Sequence, residues 1–253
     1  MPTLALSRTV SRHPFVVDQE PDRPLGSLLV HGVFDLLTSA GHDLDADDRH
    51  LRMSLDFTGF RGSGGAFEAS AEGPDERWTV AVHHGDRGVC HGQLDLFDGV
   101  PRPRPDPRPG EFGPKPASLA HRAENVVIGA PRETPDSVVV PVLTPARGHY
   151  LSLAAPGVHG VRTLVEAAWQ FTTLLAPRVT GVPVDGRFAW LGVAADLPTG
   201  IPIGAPLELC WRDERATGTQ LRFRFDLFRA DLPGEPLGTF ESSCAVLDVN
   251  PPR

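Results

Sequence analysis

Twice in this chain of 253 residues a long apolar stretch is followed by short runs in which apolar and polar residues alternate. The apolar stretches are Gly26–Gly41 and Val161–Leu175, and each is apolar around most of its circumference, the signature of a buried helix. After the first come runs at Leu51–Phe60, Ala66–Ala71, Trp78–Val82 and Val89–Phe97. Around the second lie Asn125–Ile128, Val138–Leu143, Arg187–Ala195, Leu207–Arg212, Gln220–Phe228 and Phe240–Val249. In these runs Leu51, Met53, Leu55 and Phe57 share one face, as do Leu221, Phe223, Phe225 and Leu227. A period of two with polar residues between predicts antiparallel sheet with one solvated face. At an offset of about 135 residues, Leu29–Asp35 falls on Leu164–Gln170, so the chain reads as a tandem repeat.

One buried helix followed by a meander of antiparallel strands, occurring twice, predicts an α+β fold. It is a double hotdog, two buried helices each wrapped by a curved antiparallel sheet. Between the halves, Val100–Pro116 holds seven prolines, whose fixed φ and missing N–H exclude helix and central strand. The expected boundaries are a first hotdog repeat over 1–99, a proline-rich linker over 100–117 and a second repeat over 118–253.

Acidic residues outnumber basic ones 32 to 24, a net charge of −8, which argues against a nucleic-acid partner that would need a basic face. The stretch Leu25–Leu37 is too short to span a bilayer and carries His31 and Asp35, so no membrane association is expected. The three cysteines, Cys90, Cys210 and Cys244, are far apart and form no CxxC pair; free thiols and a cytoplasmic location are the expectation. His83, His84, Cys90 and His91 sit on strands where neighbours point to opposite faces, and no metal is expected there. No Gly-x-Ser-x-Gly elbow occurs, which excludes that class of serine hydrolase. Gly62–Gly65 lacks the following helix that a phosphate-cradling loop requires.

Glu166 stands inside an almost wholly apolar helix. A carboxylate buried there is costly unless paired, and burial alone would raise its pKa into the range useful for proton transfer. His13, His149 and His159 are the candidate bases and hydrogen-bond partners, because imidazole titrates near neutral pH. If the halves cross, Glu166 meets His13, and His31 meets His149. His31 and Asp35 share one helix face.

His121-Arg-Ala-Glu-Asn-Val-Val-Ile, His149-Tyr-Leu, Pro156, His159-Gly-Val and Leu164-Val-Glu-Ala-Ala-Trp-Gln together resemble the second repeat of the A-factor (γ-butyrolactone) biosynthesis hotdog family. Arg12-His13-Pro-Phe and the first apolar helix resemble that family's first repeat. Of the family's Glu-Ala-x-Arg-Gln helix motif, Glu166, Ala167 and Gln170 match, while Trp169 stands at the arginine. Gly148-His149-Tyr150 before Glu166 also resembles the pattern of hydroxyacyl-carrier-protein dehydratases. These resemblances imply an acyl-thioester dehydratase or cyclase of bacterial specialised metabolism, acting on a carrier-protein or CoA thioester. Glu166, His13 and His159 would be catalytic, and His149, Arg162, Trp169, Gln170 and His31 would bind substrate. No cofactor is implied, and the fold admits a homodimer. Two alternatives stand beside this reading. One is a butenolide-forming condensing enzyme that joins a β-ketoacyl thioester to a three-carbon phosphate, with Arg162 in place of the missing arginine. The other is a non-catalytic hotdog that binds an acyl chain or a protein.

Overall fold

The structure, a computed structural model, describes residues 3–5, 26–58, 67–99, 115–116, 123–181, 187–212, 220–232 and 234–247. His13, and the proline segment apart from Lys115 and Pro116, lie outside them.

After β1 (Thr3–Ala5) comes the helix α1 (Gly26–Ser39), then β2 (Arg49–Phe57), β3 (Phe67–Glu72), β4 (Arg77–His84) and β5 (Arg87–Asp98). A 3₁₀ turn at Ala123–Asn125 leads to β6 (Arg132–Thr134), β7 (Ser137–Val142), the short helix α2 (Tyr150–Ala154) and β8 (Val158–His159). The helix α3 (Val161–Thr180) follows, then β9 (Arg187–Pro198), β10 (Ile201–Pro202), β11 (Leu207–Arg212), β12 (Gln220–Arg229) and β13 (Gly238–Leu247).

Among the described residues eleven strands form one sheet in the order β1-β3-β4-β5-β2-β9-β13-β12-β11-β7-β6, and β8 pairs with β10 apart from it. Read outward from the central pair, the order is β2, β5, β4, β3 on one side and β9, β13, β12, β11 on the other. In each half the strand after the long helix is innermost and the next three strands of this sheet follow in reverse, β10 lying outside it. The centre is the antiparallel pairing of β2 with β9, from His50 opposite Pro198 to Asp56 opposite Gly192. On its solvent face Asp196 of β9 takes hydrogen bonds from His50 Nδ1 at 2.9 Å and Arg52 NH2 at 2.8 Å, both on β2.

The alternation read from the sequence holds: Leu51, Met53, Leu55 and Phe57 point inward on β2, and Leu221, Phe223, Phe225 and Leu227 on β12. They join α1 and α3 in one apolar core that runs through both halves. α1 starts hard against β9, since a Cβ on Gly26 would stand 2.6 Å from Trp190 Cε3. Only glycine permits that approach.

Two expectations change. The helix predicted to end at Leu175 continues to Thr180, through Pro177 in its last turn, and stops at Gly181, whose φ of 69° is the left-handed cap. Proline's φ is already helical, and near the C-terminus its missing N–H removes one main-chain bond. The strand predicted at Asn125–Ile128 is instead the 3₁₀ turn plus a single bridge between Ile128 and Val142. Asn125 O and Val127 N spend their hydrogen bonds on the side chain of Gln170, not on a neighbouring strand. No helix among the described residues is long and apolar enough to cross a membrane.

Candidate active site

α1 and α3 cross inside the sheet along a polar seam. Glu166, in the second turn of α3, and His31, in the second turn of α1, are each 1% exposed, with His31 Nε2 3.8 Å from Glu166 Oε2. Burial disfavours the charged imidazole, and Arg162 adds repulsion that Asp35 only partly offsets, so the His31 pKa falls to about 3. Glu166 therefore faces a neutral ring. Its other oxygen, Oε1, accepts a 2.9 Å hydrogen bond from Gln170 Nε2, one turn further along α3. That same amide nitrogen donates to Asn125 O at 2.8 Å, and Gln170 Oε1 accepts from Val127 N at 2.9 Å. Gln170 is fully buried, and three of its bonding positions are filled by the protein. Its geometry fits positioning of Glu166 better than direct contact with substrate.

One turn before Glu166, Arg162 is 3% exposed and donates to Asp35 Oδ1 at 2.9 Å and Thr38 Oγ1 at 3.1 Å, both on α1. Its guanidinium lies over the Phe34 ring. Tyr150 OH donates to the same oxygen of Asp35 at 2.8 Å, and the Tyr150 ring meets His31 edge-on. Asp45, in the loop after α1, approaches Arg162 with one oxygen and accepts from Val161 N with the other at 2.7 Å. It thereby caps α3, whose N-cap Gly160 has no side chain to offer. Burial raises the Asp45 carboxyl against the opposing pull of Val161 N–H and Arg162. A cation this enclosed by the protein's own acids is poorly placed to clamp a substrate phosphate.

His149 is the N-cap of α2 and stands before a helix, not on a strand. Its Nδ1 accepts from Leu151 N, so Nε2 carries the proton and donates to Asn125 Oδ1 at 3.0 Å. His159 is buried on β8, with Nε2 against Ala205 O at 3.2 Å; burial takes its pKa down to about 4, against the pull of backbone acceptors. Trp169 packs edge-on against Trp190 at 4.6 Å, and Trp190 in turn meets Phe57 and Phe240, so its indole belongs to the core. The structure thus brings together Glu166, His31 and Gln170, sets Arg162 one turn away, and reaches His149 through Asn125. It sets His159 and Trp169 to other tasks. Asp45 was missed by sequence reasoning because it is one of several acids in a polar loop, and Tyr150 was visible within Gly148-His149-Tyr150, without a role. Asn125 was visible as part of the His121–Ile128 motif, without a role.

Burial pushes the Cys90 and Cys244 thiols up to about 12, which removes them as nucleophiles near neutral pH. Among the described residues no cluster of three or more His, Cys, Asp or Glu is arranged to hold a metal.

No family model matches the chain, and no curated protein matches it by sequence. Solved structures do. The dehydratase domain from the CurJ module of the curacin polyketide synthase aligns over 96% of this chain and 91% of its own, at 11% identity and a TM-score of 0.62. The dehydratase domain of PpsC from Mycobacterium tuberculosis, in complex with C12:1-CoA, aligns over 88% and 84%, at 14% identity and a TM-score of 0.56. A putative thioesterase II from Thermobifida fusca aligns over 90% and 88%, at 15% identity and a TM-score of 0.54. At such identities the likeness is one of fold: this chain has the α+β hotdog fold found in dehydratase domains and thioesterases.

Proposed function

We propose that the chain is a double-hotdog enzyme, with repeats over 1–99 and 118–253 joined by the 100–117 linker, that removes water from a β-hydroxyacyl thioester carried by CoA or a carrier protein. The observation that carries this reading is Glu166, a carboxyl inside the helix crossing, oriented by Gln170 on one oxygen and facing a neutral imidazole with the other. One turn earlier, Arg162 is engaged by Asp35 and approached by Asp45.

In the proposed reaction His13 takes the α-proton next to the thioester carbonyl and Glu166, protonated, gives its proton to the β-hydroxyl. The C–O bond breaks as the C=C bond forms, water leaves, and the proton held by His13 returns to Glu166 to reset the site. A helix N-terminus aimed at the carbonyl would stabilise the enolate-like charge. α1 suits that role better than α3, because the Val161 N–H of α3 already binds Asp45. His13 is preferred over His159 as the base because His159 Nε2 is directed to Ala205 O. His31 fills the position equivalent to Glu166 in the first repeat, so we assign one active site, not two.

The condensing alternative loses support from the enclosure of Arg162 and the core packing of Trp169. Incubation with a β-hydroxyacyl pantetheine thioester, followed by mass spectrometry, tests the proposal. Loss of one water supports it. Product formed only from a β-ketoacyl thioester with a three-carbon phosphate would establish the condensing reading, and saturable binding without turnover the non-catalytic one.

A further inference from the structure

We infer that His149 is a positioning residue for Glu166, acting across the fold through Asn125 and Gln170. The inference rests on the assignment of Glu166 above and adds a residue that touches neither the carboxylate nor, by its geometry, a substrate. The His149 ring is fixed at both nitrogens. Nδ1 accepts the Leu151 N–H, which caps α2, and the Nε2 proton is thereby directed to Asn125 Oδ1. Asn125 is 2% exposed and passes the constraint on through its main chain, where its carbonyl takes one N–H of the Gln170 amide. The second N–H of that amide goes to Glu166 Oε1, and Val127 N–H closes the arrangement on Gln170 Oε1.

The segment around Asn125 forms no strand ladder before the single bridge at Ile128. Beyond Asn125 the main chain helps to hold it, where Leu143 N–H donates to Val127 O, and at Asn125 itself His149 bonds the side chain and Gln170 the carbonyl. If the segment shifts, the Gln170 amide loses its outer anchors and the Glu166 carboxyl loses its fixed rotamer. Three separate sequence signals, His121–Ile128, Gly148-His149-Tyr150 and the Glu166–Gln170 helix motif, are thereby joined in one network.

The two ring nitrogens can be separated by substitution. In His149→Asn the side-chain oxygen replaces Nδ1, keeping the cap but losing the donor to Asn125; in His149→Gln the amide replaces Nε2, keeping the donor and losing the cap. The expected result for His149→Asn is a kcat lowered about ten- to a hundredfold at little changed KM, with the acid limb of the pH–rate profile displaced and Tm as in wild type. The Val127 amide should exchange about tenfold faster once its partner Gln170 is loosened. His149→Gln should keep the activity and the protection of Val127 while lowering Tm. Asn125→Ala, which deletes the acceptor but leaves the main-chain carbonyl, should reproduce His149→Asn, and the double variant should be no worse than either. Wild-type exchange at Val127 in His149→Asn would overturn the inference. That readout is independent of catalysis: if wild-type protein turned over no thioester, the functional reading would fail while Val127 exchange still decided the link.

Discussion

Two imidazoles, His31 and His159, are held uncharged in the core, and their effect on stability has a definite sign. Their pKa values fall from 6.5 to about 3 and about 4, so below about pH 6.5 the unfolded chain binds protons on these rings that the folded chain does not. Stability therefore rises with pH between about 4 and 6.5, by about 1.4 kcal/mol per pH unit for each ring, and levels off above that window. At Asp196 burial pulls upward, but hydrogen bonds from Arg52 and His50 outweigh it and hold the carboxyl below its ordinary range. Its contribution is lost only at more acid pH, as the carboxylate is protonated. Denaturant midpoints measured from pH 7 to pH 4.5 should fall through this window, and His31→Gln should flatten the slope by about one proton. Midpoints that do not move between pH 7 and pH 5 would contradict the burial of neutral rings. At this scale the sequence placed Glu166 and Gln170 in an apolar helix, and both are buried on α3. It could not show that Glu166 faces His31, because that contact depends on how α1 and α3 cross. Nor could it show that Arg162 is consumed by Asp35 and Asp45, residues 127 and 117 positions away.

The elements illustrate which signals survive folding. Long alternating runs such as β12 were readable because four successive inward residues fix the face, and the sheet offers no competing partner for them. Asn125–Ile128 was misread because a short apolar run has the composition of a strand, whereas its hydrogen bonds are taken by a glutamine of α3. The start of α3 was visible as the beginning of an apolar run, but its cap comes from Asp45, in the other half of the chain. Removing that cap should be costly. Asp45→Ala deletes the acceptor for Val161 N–H and one of the acids beside Arg162, and should destabilise the protein by about 1–2 kcal/mol, read as a lowered denaturant midpoint with an unchanged slope. Asp45→Asn, which keeps an oxygen acceptor, should recover most of the loss. Equal losses for the two variants would show that charge, not capping, is what Asp45 contributes.

Across the whole molecule, two runs of strands extend outward from the β2–β9 pair, β5-β4-β3 on one side and β13-β12-β11 on the other, with one apolar core beneath them. The halves share main-chain hydrogen bonds over the length of that pair, the Asp196 clasp on its outer face, and the α1–α3 seam on its inner face. Such a structure should unfold in a single transition, with circular dichroism and tryptophan fluorescence coincident, since Trp78 lies on the first-half sheet and Trp169, Trp190 and Trp211 on the second-half elements. Two separated transitions would mean that the halves are energetically independent. The proposed chemistry depends on one carboxyl. Glu166→Gln keeps the oxygen that accepts from Gln170 and changes little in volume, so the fold and the seam should persist while the ionisable group is gone. In the dehydration assay with a β-hydroxyacyl pantetheine thioester, this variant should lose about 10²–10⁴ in kcat, with Tm close to wild type. Full turnover by Glu166→Gln would contradict the account.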